Sequence, residues 1–171
     1  MGSQLYIGTA NGVVICIDRF AEGLSMGEFW HSYSKEPVHF RSFGHMVYLM
    51  EGLFDYLDFP RRANNVRSFQ NEPTAYPKRK DREKVMADHD LLEKHGYLET
   101  FIVRVQHRQN NTWQGRITWA DKDKTVNFRS IWEMIHLMET AIYENAPLEE
   151  LPDYGSWVAE AEEENDSEKS E

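Results

Sequence analysis

Residues 38–51, VHFRSFGHMVYLME, recur 88 positions later as residues 126–139, VNFRSIWEMIHLME. Aligned without a gap, the two stretches share Val38/Val126, Phe40/Phe128, Arg41/Arg129, Ser42/Ser130, Met46/Met134, Leu49/Leu137, Met50/Met138 and Glu51/Glu139, more identity than unrelated segments carry. Each opens as a short extended run. A serine follows, and then apolar residues return at three- and four-residue spacing, so each stretch reads as a strand passing into an amphipathic helix. The same offset pairs Val13, Val14, Ile15 and Ile17 with Phe101, Ile102, Val103 and Val105, and Gly27 with Gly115. A period this long predicts two copies of one supersecondary unit, not a solenoid of short repeats.

In the second copy, residues 100–107 and 113–120 read as strands across the polar loop 108–112. A turn at Asp121-Lys122-Asp123-Lys124, a strand at 125–128 and a helix from Ile131 follow. Ser130 and Glu133 have the S-x-x-E spacing of a capping box, in which each side chain bonds the other residue's free backbone N–H. The first copy is less regular. Residues 4–8 and 12–19 flank Thr9-Ala10-Asn11-Gly12, which suits either a hairpin or one bent strand. Strands at 27–33 and 37–40 and a helix from Ser42 to Pro60 complete it. The expected fold class is α+β: a tandem duplication of a β-β-β-α unit, antiparallel throughout, helices on one face, the halves related by a pseudo-two-fold axis.

These readings divide the chain into a first repeat at 1–60, a basic linker with a short helix at 61–96, a second repeat at 97–147, and an acidic tail at 148–171 too poor in apolar residues to order itself. The linker helix is expected from about Asp81 to His95, with Gly96 stopping it in a left-handed conformation. Charge follows the same partition. Residues 144–171 hold eleven acids against Lys169 alone, which accounts for the whole net charge of −10. Within the neutral remainder, residues 61–84 carry eight bases, among them Arg61, Arg62, Lys78, Arg79 and Lys80, against three acids. A basic connector and an acidic tail can attract each other or serve separate partners.

Forty per cent hydrophobic residues and 22 aromatics predict a globular body. Cys16 is the only cysteine, so neither an internal disulfide nor a thiolate-rich metal site can form. No leader and no run of about 20 apolar residues is legible, so the expected location is the cytoplasm.

Seven histidines raise the question of a metal or a histidine-dependent enzyme. His89 and His95 stand six residues apart, off the one-turn spacing of H-E-x-x-H, and no third ligand or nucleophile is specified. Phosphate-binding glycine loops and G-x-S-x-G are missing from the sequence. No cofactor is expected, and an enzyme is the weakest of the readings.

Binding is better supported. Arg41-Ser42 and Arg129-Ser130 each place a cation and a cap serine at a helix start, where a carboxylate or phosphate is favoured. The plainer role is that Phe fills the core, Ser caps the helix and Arg pairs with a nearby acid. Trp30, Trp113 and Trp119 crowd the second strands, where alternation sends side chains to both faces. An exposed aromatic face beside a basic connector suits a protein groove or a single-stranded nucleic acid.

The segment 100–142 resembles a set of small bacterial proteins of unassigned function built from a strand, W-x-G-x-[IV]-x-W, a short turn, F-R-S and an amphipathic helix. Here the pattern is Trp113-Gln114-Gly115-Arg116-Ile117-Thr118-Trp119 and Phe128-Arg129-Ser130. The first copy departs from it, with Gly44-His45 in place of Trp132-Glu133. The resemblance implies the module and a bacterial, cytoplasmic setting, and no reaction. The expected function is a non-catalytic protein-binding or regulatory module whose partner is another protein, with a homodimer as a further option. The alternative is a nucleic-acid-associated or DNA-mimicking anti-defence protein.

Overall fold

The computed structural model describes residues 5–69 and 82–145. Lys78, Arg79, Lys80 and the acidic tail lie outside the described residues. The elements are β1 (Val13–Ala21), β2 (Leu24–His31), β3 (Val38–Phe40), α1 (Phe43–Leu57), α2 (Asp88–Leu92), β4 (Glu99–His107), β5 (Gln114–Trp119), β6 (Lys124–Phe128) and α3 (Ile131–Asn145). The fold is α+β: one six-stranded sheet, antiparallel at every pairing, in the order β3-β2-β1-β4-β5-β6.

Alternation along the strands sends Val13, Ile15, Ile17, Phe29, Phe40, Phe101, Val103, Val105, Ile117 and Phe128 to one face. Both long helices lie on that face. Helix α1 contributes Phe43, Met46, Met50, Leu53 and Phe54, and α3 contributes Met134, Met138, Ala141 and Ile142. The apolar spacing that predicted the helices thus also identifies their buried sides.

The opposite face is covered over part of its width. Val14, Cys16 and Ile102 project there and meet Ile7 from the N-terminal segment and Leu91 from α2. Burial in this smaller cluster raises the Cys16 thiol to about 12, which fits an inert packing residue.

Local chemistry sets the boundaries. Glu22 and Gly23, both at positive φ, form the two-residue turn between β1 and β2, as the right-handed twist of a hairpin demands. Ser42 Oγ accepts the His45 N–H at 3.1 Å, and Ser130 Oγ accepts the Glu133 N–H at 3.0 Å. Glu133 reaches back to the N–H of Arg129, not of Ser130. The expected reciprocal box is therefore displaced by one residue.

Three other expectations change. Residues 5–8 form no strand, because Gly8 takes φ 78° and Ile7 is drawn into the outer cluster instead of a hairpin. The linker helix covers Asp88–Leu92, shorter than its apolar pattern suggested, with Glu93 as its right-handed C-cap. Gly96 serves a different purpose: a Cβ there would strike the Glu99 carbonyl and the backbone of Ile17. Among the described residues, no helix is long and apolar enough to cross a membrane.

Candidate functional site

Glu51 and Asp55 stand one turn apart on α1 and so point the same way. The chain leaving β4 brings Arg108 beneath them, with its side chain only 4% exposed. Its Nη1 donates to Asp55 Oδ1 at 2.7 Å and to Glu51 Oε2 at 3.1 Å, while its Nε donates to the Pro60 carbonyl at 2.7 Å. From the other side, Arg62 Nη2 donates to both acids at 2.7 Å and its Nε donates to Asp55 Oδ1 at 3.0 Å. The Trp113 indole N–H takes the remaining Glu51 oxygen. The two carboxylates are thus neutralised by two guanidinium groups in a partly dry setting, where such pairing is obligatory.

The cluster forms one side of a cleft of about 300 Å³. Tyr48, Gly52, Val66 and Ile131 supply its apolar surface, and Asn64, Asn111 and Thr112 add polar groups. Tyr48 is 71% exposed. The loop on the far side is fixed: Asn110 and Asn111 both adopt positive φ, and Thr112 Oγ1 accepts the N–H of Ile131 at 2.9 Å. The cleft therefore offers a preset surface of aromatic, amide and hydroxyl groups. Its carboxylates already accept hydrogen bonds from fixed cations, a poor arrangement for a general base, which needs an acceptor open to substrate.

Gly52 is the least expected member. It sits inside α1, where glycine costs about 1 kcal/mol relative to alanine. A Cβ at this position would meet nothing within 4 Å among the described residues. Packing against the described residues therefore gives no reason for a glycine here.

The residues singled out from sequence disperse. Trp113 is fully buried and edge-on to Phe54, with centroids 5.2 Å apart, so it is a core residue and no stacking platform. Trp30 is half-buried and donates to Glu28, with the Lys94 ammonium 4.1 Å above its ring. Trp119 donates to Glu99 at 2.5 Å. The sheet thus presents no open row of aromatics among the described residues. Ser42 and Ser130 cap helices. Arg129, on the surface, pairs with Glu133 at 2.9 Å, an interaction that raises the arginine pKa and lowers the carboxylate's. Arg41 is exposed and its backbone N–H donates to His45 Nδ1 at 3.3 Å. The two FRS arginines therefore sit at capped helix starts. Arg61 lies 3.4 Å from Asp58, and of the expected binding residues that are described only Arg62 joins Trp113 in the cluster.

Glu51, Asp55 and Arg108 were not singled out from the sequence. Two acids at i, i+4 on an otherwise apolar helix were the available signal, but the partner Arg108 lies 53 residues from Asp55. Among the histidines, His31 is buried and its pKa is lowered to about 4, first by burial and then by the Arg82 charge. His89 pairs with the adjacent Asp90 at 2.9 Å. Among the described residues, no group of three or more His, Cys, Asp or Glu could hold a metal ion.

Fold and cleft define an α+β protein with a single antiparallel sheet and a charge-neutral groove beside α1. No family model, curated protein or solved structure matches the chain.

Proposed function

We propose that this chain is a non-catalytic binding module of the bacterial cytoplasm that receives another protein in the cleft beside α1. The carrying observation is Gly52: an interior helical glycine that no described residue crowds, located where a larger side chain would intrude on the cleft. Tyr48 and Arg62, beside an apolar centre, are residue types that protein interfaces favour. The connector enters this reading through Arg62, Asn64 and Val66, all of which line the cleft. A photoreactive phenylalanine analogue at position 48, introduced in the native cell, tests it. We expect a discrete crosslinked protein that disappears with Gly52→Leu and does not form when the analogue replaces the exposed His136. Adducts indifferent to Gly52→Leu would refute the reading.

We also propose that the body arose by tandem duplication and has approximate two-fold symmetry. Several pairs of features 88 residues apart support this. The β1 register shift at Ile17/Arg19 has its counterpart in β4 at Val105/His107. A Cβ on Gly27 would meet the Cys16 carbonyl, and one on Gly115 the Arg104 carbonyl. In the β1–β4 pairing Val14 faces Ile102, its own counterpart, with Val13 opposite Val103 and Ile15 opposite Phe101. Even the contrast at the cleft is informative. The counterparts of Asp55 and Arg108 are Tyr143 and Phe20, which make an edge-to-face contact at 5.5 Å. On this reading an apolar contact and an ion pair occupy equivalent places in the two halves.

A further inference from the structure

On the sheet face opposite the long helices, Arg104 of β4 and Arg116 of β5 stand directly across from one another. Like charges in that relation repel unless something neutralises them. Neither guanidinium has a carboxylate partner among the described residues. Arg104 is 4% exposed, and its Nη1 donates to the Tyr6 carbonyl and its Nη2 to Thr118 Oγ1, each at 3.0 Å. Its Nε is buried without a hydrogen-bond partner among the described residues. The Tyr6 ring stacks at 4.5 Å from the guanidinium carbon. Arg116 is exposed beside this buried cation. Thr118 and Thr125 share a hydroxyl contact at 2.9 Å, and Asn127 lies across from Arg116. A buried arginine held by neutral groups, a second arginine in solvent next to it, and adjacent hydroxyls make a positive field with donors and no counter-charge among the described residues.

The geometry points to an oxyanion-binding site on this outer face of β4–β5–β6, taking a carboxylate or phosphate group. Arg116 makes the direct contact, Thr125 and Asn127 supply neutral donors, and Arg104 adds positive charge from beneath while Thr118 and Tyr6 hold it in place. Charge-assisted hydrogen bonds of this kind are about twice as strong as neutral ones. The site lies on the other side of the sheet from the cleft at α1 and does not depend on the function proposed for it. Two sources supply such a group: a free phosphorylated or carboxylated ligand, and the carboxylates of residues 160–171 of this chain, which carry seven acids.

The test is a titration of the full-length protein with inorganic phosphate at constant ionic strength, following the Arg116 Nε–Hε signal and the amides of Thr118 and Thr125 by NMR. We expect saturable shifts there that chloride does not produce, that Arg129 does not share, and that Arg116→Gln and Thr125→Val each weaken. Full-length protein carrying Glu162→Gln, Glu163→Gln and Glu164→Gln separates the sources. Phosphate affinity raised several-fold identifies the chain's own carboxylates as the competing occupant, and unchanged affinity with saturation retained identifies a free ligand. Shifts that grow linearly with phosphate, or that are equal at Arg129 and survive Arg116→Gln, mean an adventitious ion only and overturn the site.

Discussion

Two buried titratable side chains give this protein opposite pH dependences. Glu99 is 2% exposed and accepts from the Trp119 indole and the Asn145 amide, each at 2.5 Å. Burial raises its pKa above the ordinary 4.5, and the two donors offset only part of that cost. An acid with a raised native pKa favours folding when protonated. Its contribution is fully present below pH 4.5 and is lost as pH rises through the higher native value. The wild-type urea midpoint, measured relative to that of Glu99→Gln, should therefore fall as pH rises above 4.5, and a constant difference would refute the assignment. His31 behaves in the reverse sense. Its pKa is lowered from 6.5 to about 4, so its contribution is complete above pH 6.5 and is lost as pH falls toward 4. At 1.36 kcal/mol per pKa unit this loss is roughly 3 kcal/mol. An NMR titration of the His31 ring should give a midpoint near 4; a midpoint near 6.5 would remove the effect.

At the scale of elements, the strand-to-helix boundaries were the most legible part of the sequence. Phe40-Arg41-Ser42 and Phe128-Arg129-Ser130 predicted a buried anchor and a cap, and both formed. Ser130→Ala should cost about 1 kcal/mol, read as a lower urea midpoint, and Ser42→Ala should cost a similar amount. The close-approach glycines are less forgiving. Gly27→Ala and Gly115→Ala each drive a methyl into a backbone carbonyl on the neighbouring strand, with an expected cost of about 1–3 kcal/mol. Gly52→Ala, with open space around it, should instead stabilise by about 1 kcal/mol. What the sequence concealed was non-local. The pattern at residues 4–8 looked like a strand because Leu5 and Ile7 alternate, but Ile7 packs on the outer face of the sheet, and only the tertiary structure reveals that face. Arg108 read as loop polarity for the same reason: nothing near it in sequence announces Asp55.

For the whole molecule, the two ends of the chain's body are fastened by a β1–β4 seam and by the Glu51–Asp55–Arg62–Arg108 cluster. The cluster ties α1 to the end of β4 and to the first residues after Pro60. Arg108→Ala leaves two carboxylates facing one cation at the protein's edge. We expect a loss near 3 kcal/mol, the lower end of the range for breaking a buried pair, because Arg62 still neutralises part of the charge. Urea unfolding measures it, and a loss below about 1 kcal/mol would show that the pair is replaced by water. The β1–β4 seam has a further consequence during synthesis. Val13 meets Val103, 90 residues later, and ribosomes add roughly 5–20 residues per second. For several seconds the nascent first half must keep the inner edge of β1 from pairing with a stranger, so translation speed and chaperone supply bear on the yield of this protein more than its modest length would suggest.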